Sequence, residues 1–228
     1  MRQNRGQPIN KTKRFRSLLV VALVLGYGGS YLGARKTKPP STPPAITPPA
    51  GNSAFLVGHG VGTQGYVCLP SSTSASWAVN GSRPEATLFS GKDRQIVTHF
   101  LSPDTNPSKD APNPLPVGSP TWQSSLDSSV VWAKALTPAV VPNPDVKSCP
   151  NKGAIPCLLL QAIGSKTGPG GGNRMTQVTF IQRLNTTGGT APASGCSVPA
   201  DVGKQVLVPY TADYYFFRED HKKGKPGR

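Results

Sequence analysis

From Phe55 onward no stretch of this chain repeats apolar residues at the 3.6-residue spacing of an amphipathic helix. What recurs instead is short apolar or alternating segments cut by turn residues: TQGYVCL, ASWAVN, EATLFS, QIVTHFL, SSVVWAKAL, IPCLLLQAIG, TQVTFIQRLN and KQVLVPYTADYYFF. Glycine and proline, 25 each in 228 residues, supply the breaks and leave little room for long helices. Eight or nine such segments imply one all-β domain over residues 54–217, a sandwich or a barrel.

Within that frame, EATLFS and QIVTHFL flank the turn GKDR and form a hairpin. In QIVTHF the period of two puts Gln95, Val97 and His99 on one face and Ile96, Thr98 and Phe100 on the other, one of them buried. DYYFF alternates in the same way, Tyr214 and Phe216 against Tyr215 and Phe217. Leu158 to Leu160 is a continuous apolar run, a strand or short helix covered on both sides. Six prolines between Ser102 and Pro120 mark a long surface excursion.

GHGVGTQGYVC, Gly58 to Cys68, contains the spacing GxGxxG at Gly60, Gly62 and Gly65. A dinucleotide site needs that motif between a strand and a helix whose N-terminus holds the pyrophosphate. Here it runs into YVCLPSS, which is β-like and breaks at Pro70, and the first acid afterwards is Glu85. The glycines therefore serve close backbone approach at a strand. GPGGGNR, Gly168 to Arg174, lacks the GK[ST] ending of a phosphate loop. No cofactor is expected.

The net charge of +15 is concentrated at the ends: +9 over residues 1–38 and +3 over residues 218–228. The body is nearly neutral and has no basic face interleaved with aromatics, so nucleic acid is not an expected partner. Six bases from Arg2 to Arg16 precede an uncharged run of 18 residues, Ser17 to Ala34, apolar from Leu18 to Leu25. That is the order of a secretory signal, and the run just reaches the length of a spanning helix. Residues 1–35 are read as a hydrophobic helix that exports the chain, as a cleaved signal or a membrane anchor with its N-terminus inside. The following TKPPSTPPAITPPAG makes residues 36–53 an extended proline-rich stalk, and residues 218–228 a basic disordered tail.

Cys68, Cys149, Cys157 and Cys196 show no CxxC spacing, and an even count in an exported chain points to disulfides rather than zinc. Cys149 and Cys157 flank the tight loop CPNKGAIPC, which pairs them and leaves Cys68 with Cys196.

GVGTQGYVC, PEATLFS, IVTHF, PTW, IPCLLLQA, VTFIQRLNTTGGTAP, GC and VPYTADYYFF come in the order found in the DUF3455 family of exported bacterial and fungal proteins, which this chain resembles from about Phe55 to Phe217. The resemblance implies a β-rich secreted domain and identifies Cys68 and Cys196 with the family's recurrent cysteines. It also marks a departure: Cys157 stands where the family pattern has tryptophan after IP, which supports a Cys149–Cys157 bridge particular to this chain. It carries over no catalytic residue.

The candidate surface site comprises His59 and His99, the only histidines of the body, with Arg183 and Asn185 beside the TTGG turn. Brought together with Asp127 or Asp213, the histidines would hold a metal or act as an acid/base pair. Trp77, Trp122, Trp132, Tyr210, Tyr214 and Tyr215 are either core or glycan-stacking residues. Asn80 in NGS and Asn185 in NTT match glycosylation sequons. No GxSxG elbow is present. The first functional reading is a non-catalytic exported module, attached to the membrane through its N-terminal segment and binding a glycan or other envelope component. The second is a secreted enzyme, a metal-assisted oxidoreductase or hydrolase, with its site near His59 or His99.

Overall fold

A computed structural model describes residues 37–72, 74–91, 93–102, 119–141 and 147–220, with backbone only at 80–84 and 137–141. The expected N-terminal helix, most of the expected 102–120 excursion, the side chain of Asn80 and the residues beyond 220 lie outside what it describes. Among the described residues no helix is long and apolar enough to cross a membrane.

Eight strands form one closed antiparallel barrel in chain order: β1 (Asn52–Pro70), β2 (Ala75–Ser90), β3 (Arg94–Ser102), β4 (Ser119–Ser124), β5 (Val130–Val141), β6 (Cys157–Lys166), β7 (Phe180–Gly188) and β8 (Gln205–Glu219). Each strand pairs with its sequence neighbour, and β1 closes the ring on β8 from Asn52↔Glu219 to Val67↔Gln205. The expected all-β body is thus a barrel. At eight strands its interior is just wide enough to be filled by side chains. Trp122, Tyr214, Phe216, Leu88, Met175 and Ile181 fill it, each at most 1% exposed. Tyr214 and Phe216 face in while Tyr215 and Phe217 face out, as their alternation requires.

The GxGxxG stretch lies in the middle of β1, and no helix follows it. Gly58, Gly60 and Gly62 fall at every second position, so all three face the barrel interior. A Cβ at Gly60 would come within 2.9 Å of the Tyr214 ring, and one at Gly62 would overlap the Glu85 carbonyl oxygen. The glycines are thin wall where large neighbours need room.

In the β2–β3 hairpin the register slips between Leu88 and Phe89, which leaves Ile96 as the extra residue of a bulge. Strict alternation would expose it. Instead Ile96 and Val97 are both buried, at 2% and 0% exposure.

A second, smaller core lies outside the barrel. Leu159, Leu184 and the Cys149–Cys157 pair are buried on the outer wall, with Leu136, Phe180 and Tyr215 packed around them and Ile46 on top. Ile46 ends a short 3-10 turn, Pro44–Ile46, and is fully buried. From Thr42 to Thr47 the proline-rich stretch is therefore docked on the barrel rather than standing off as a stalk. The single large aliphatic residue between its prolines inserts among apolar side chains that would otherwise face water. The same contact explains the continuous run in β6: Leu158 and Leu160 take inward positions, and Leu159 is covered from outside.

Both disulfides pair as expected, Cys68 with Cys196 and Cys149 with Cys157, at Cα separations of 5.6 and 6.2 Å. The first fastens residues 189–204 to the β1–β2 end of the barrel. Lys204 and Gly203 bond to the Cys68 backbone, Tyr66 Oη donates to the Gly189 carbonyl at 2.6 Å, and Trp77 Nε1 donates to the Ser194 carbonyl at 3.0 Å. On chain entropy this long closure is worth about 5 kcal/mol, against about 2.6 kcal/mol for the short one. Two bridges and no free thiol fit an oxidising compartment.

Candidate functional site

Closure of β1 on β8 sets His59 opposite Asp213, 154 residues apart in sequence, with both side chains on the outer wall. His59 Nδ1 and Asp213 Oδ1 are 2.6 Å apart, the histidine side chain 57% exposed and the aspartate 19%. The other carboxylate oxygen, Oδ2, accepts a hydrogen bond from Asn185 Nδ2 at 3.2 Å. Asn185 reaches it from a break in the β7–β8 register, between Leu184 and Thr187. Its backbone is left-handed, φ +49°, a conformation asparagine tolerates better than most residues, and its amide donates to the Ser148 carbonyl at 2.7 Å.

One outward position further along, the hydroxyls of Thr187 and Thr211 are 2.6 Å apart. Val61, 57% exposed, faces Thr211 across the β1–β8 seam. Next to it an open groove of about 430 Å³ passes over Val61, Thr63, Thr87, Thr98 and Phe100. Tyr215 stands beside the aspartate, and burial together with the Asp213 charge raises its hydroxyl pKa. The result is an imidazole, a carboxylate, a carboxamide and two hydroxyls on an accessible sheet face.

His99 is elsewhere. It is 5% exposed inside the barrel, stacked on Trp122 with ring centroids 4.1 Å apart and planes 7° apart, and tilted against Tyr214 at 5.8 Å. Its Nδ1 donates to the Thr121 carbonyl at 2.9 Å. Burial holds the imidazole at about 4, the Arg183 charge acting in the same sense and the Thr121 bond against it. This histidine is a neutral part of the core.

Arg183 is half-buried at an inward register position opposite Leu158 and Tyr214. Its Nε and Nη2 donate to the Pro156 carbonyl at 3.3 and 2.9 Å. Near it Tyr210 and Tyr214 share a hydroxyl contact of 2.7 Å, and burial raises the Tyr210 pKa strongly.

The four candidate residues therefore divide. His59 and Asn185 meet around Asp213 outside, whereas His99 and Arg183 belong to the inner side of the wall. Asp127 joins neither set. Its carboxylate accepts from the Arg174 amide at 2.9 Å and from the Ser129 hydroxyl at 2.7 Å, tying the glycine-rich loop GPGGGNR to the β4–β5 turn. Among the described residues no group of three or more histidine, cysteine or acidic side chains is placed to hold a metal. Thr187 was visible only as the hydroxyl residue of the NTT sequon, and Thr211 carries no motif, so their strand positions alone reveal the pair.

These features define a filled, disulfide-bonded, up-and-down β-barrel with a polar cluster on its outer wall. Residues 49–218 match the family described as Protein of unknown function (DUF3455), and the chain belongs to that family. No curated protein and no solved structure matches it.

Proposed function

We propose that this barrel is a non-catalytic binding module of the cell surface or envelope, exported by its N-terminal segment and binding a glycan or another envelope polymer on its outer wall. The carrying observation is the division between a barrel interior packed with large side chains and the hydrogen-bonding groups of His59, Asp213, Asn185, Thr187 and Thr211, which stand outside it. A flat, hydroxyl- and carboxamide-bearing face beside an open groove suits an extended polar polymer better than a small substrate that must be enclosed. The disulfides support a location outside the cytoplasm.

The test is co-sedimentation of the purified barrel with the insoluble envelope fraction of its host. Binding should weaken about tenfold in the His59→Ala/Asp213→Asn double variant. Equal binding by wild type and the folded double variant would remove the outer wall from the reading.

One observation favours an enzyme instead. A carboxylate on His59 Nδ1 leaves Nε2 free to take a proton from a substrate, as in a general-base pair. On that reading, turnover of activated ester substrates by the wild type is abolished by Asp213→Asn, with binding to the envelope fraction unchanged.

A further inference from the structure

The docked proline-rich segment does not lie flush on the barrel. Between them is a cleft of about 270 Å³, walled by Pro39, Pro40 and Pro48 on the segment's side and by Phe217 and Gln182 on the barrel's, with Thr42 at its edge. A volume of that order exceeds what a single water needs and approaches that of a small-molecule site.

Gln182 is 1% exposed, and only half of its carboxamide is satisfied. Nε2 donates to the Ile46 carbonyl at 2.5 Å and to Thr42 Oγ1 at 3.4 Å. Oε1, also buried, accepts nothing. A buried acceptor without a donor is destabilising, so such a group calls for a partner that the protein itself does not supply. The residues around the cleft include hydroxyls, carboxamides, proline rings and one phenyl ring, and none is ionisable. That chemistry rejects a charged ligand, which would lose its hydration without gaining a counter-charge. It favours a molecule with one C–H-rich face and hydroxyl donors at its edge.

We propose that this cleft is a subsite for a neutral sugar ring, which lays its apolar face against the proline rings and Phe217 and, where the docked segment eases away from Gln182, donates a hydroxyl to its Oε1. The proposal stands on the cleft alone and not on the outer-wall cluster. Phe217 is four residues along β8 from Asp213, roughly 13 Å at the rise of a strand. Because the docked segment forms half of the cleft, a bound sugar also fastens that segment to the barrel.

The experiment is titration of the intact protein with cellobiose, followed by NMR. The expected result is shifts of the Gln182 side-chain amide and of Thr42, with intermolecular NOEs from the sugar to the Phe217 ring. Gln182→Leu should weaken binding about tenfold, while Leu126→Ala, at an exposed position of the β4–β5 turn, leaves it unchanged. Should Gln182→Leu prove unfolded, the NOEs alone decide. An absence of shifts in the folded wild type would overturn the proposal, as would NOEs confined to His59 and Tyr215, or glucuronate binding in the cleft as tightly as cellobiose.

Discussion

His99 and Trp122 lie face to face inside the barrel, their ring planes 7° apart, in a pocket that admits the neutral imidazole and excludes the charged one. The unfolded chain titrates this group at the ordinary 6.5, whereas the folded protein holds it at about 4. Stability from this residue is complete above pH 6.5 and is lost as the pH falls towards 4, by about 3 kcal/mol over that window. Urea unfolding of wild type and His99→Phe at pH 7 and pH 4 measures it. The variant keeps an aromatic partner for Trp122 and should lose less stability on acidification.

A second acid response, at lower pH, comes from Asp127. Burial raises its pKa, but hydrogen bonds from the Arg174 amide, the Ser129 and Ser124 hydroxyls and the Ser129 amide outweigh that and hold the carboxyl at about 2. Its contribution is present above the ordinary 3.8 and disappears as the pH falls through 2. Asp127→Ala should destabilise the barrel by about 1–2 kcal/mol at neutral pH. It should also accelerate amide exchange at Arg174 and Met175, whose N–H groups bond to Asp127 and to its neighbour Ser129. Unchanged exchange there would mean that the glycine-rich loop is held by other contacts.

Gly60 and Gly62 should differ in their response to the same added methyl group. At Gly60 the methyl meets the edge of the Tyr214 ring, which can tilt, and a cost of about 1–3 kcal/mol is expected. At Gly62 it meets the Glu85 backbone, so Gly62→Ala should cost more than Gly60→Ala. Denaturation midpoints of the two variants give the order, and the reverse order would refute this reading of the inner wall.

Ile46→Ala tests the docked segment. Loss of a fully buried isoleucine side chain costs about 2–5 kcal/mol where the site cannot collapse. Here the segment can lift away instead, so the lower end is expected in global stability. Faster exchange should appear at the Ile46 and Thr47 amides, which bond to Pro43 and Pro44. A stalk that merely rests on the barrel would show neither effect.

The local parts of this architecture were legible in the sequence because period-two alternation and turn chemistry are local. The hairpin around Gly91, the two faces of Tyr214–Phe217 and the short Cys149–Cys157 loop all followed from neighbours in sequence. Closure did not, because nothing near His59 announces that Asp213, 154 residues away, will be its cross-strand partner. The surroundings of His99 were not legible for a related reason. Its alternation with Val97 was correct, but which face of that strand pointed inward depended on Trp122 and Tyr214, brought by other strands. Ile46 was overlooked because six prolines outweighed one isoleucine in a composition argument, while in the folded protein that one side chain decides where the segment lies.

The seam between β1 and β8 has a geometric consequence. Asn52 and Glu219 are cross-strand partners, and the Asp220 amide bonds to the Gly51 carbonyl at 2.8 Å, so the polypeptide enters and leaves the barrel at one spot on one rim. The two ends of the barrel's own chain, residues 51 and 220, are thus joined by a hydrogen bond rather than held apart. The opposite end of the seam, where Val67 meets Gln205, lies beside the Cys68–Cys196 bridge and the backbone it fastens.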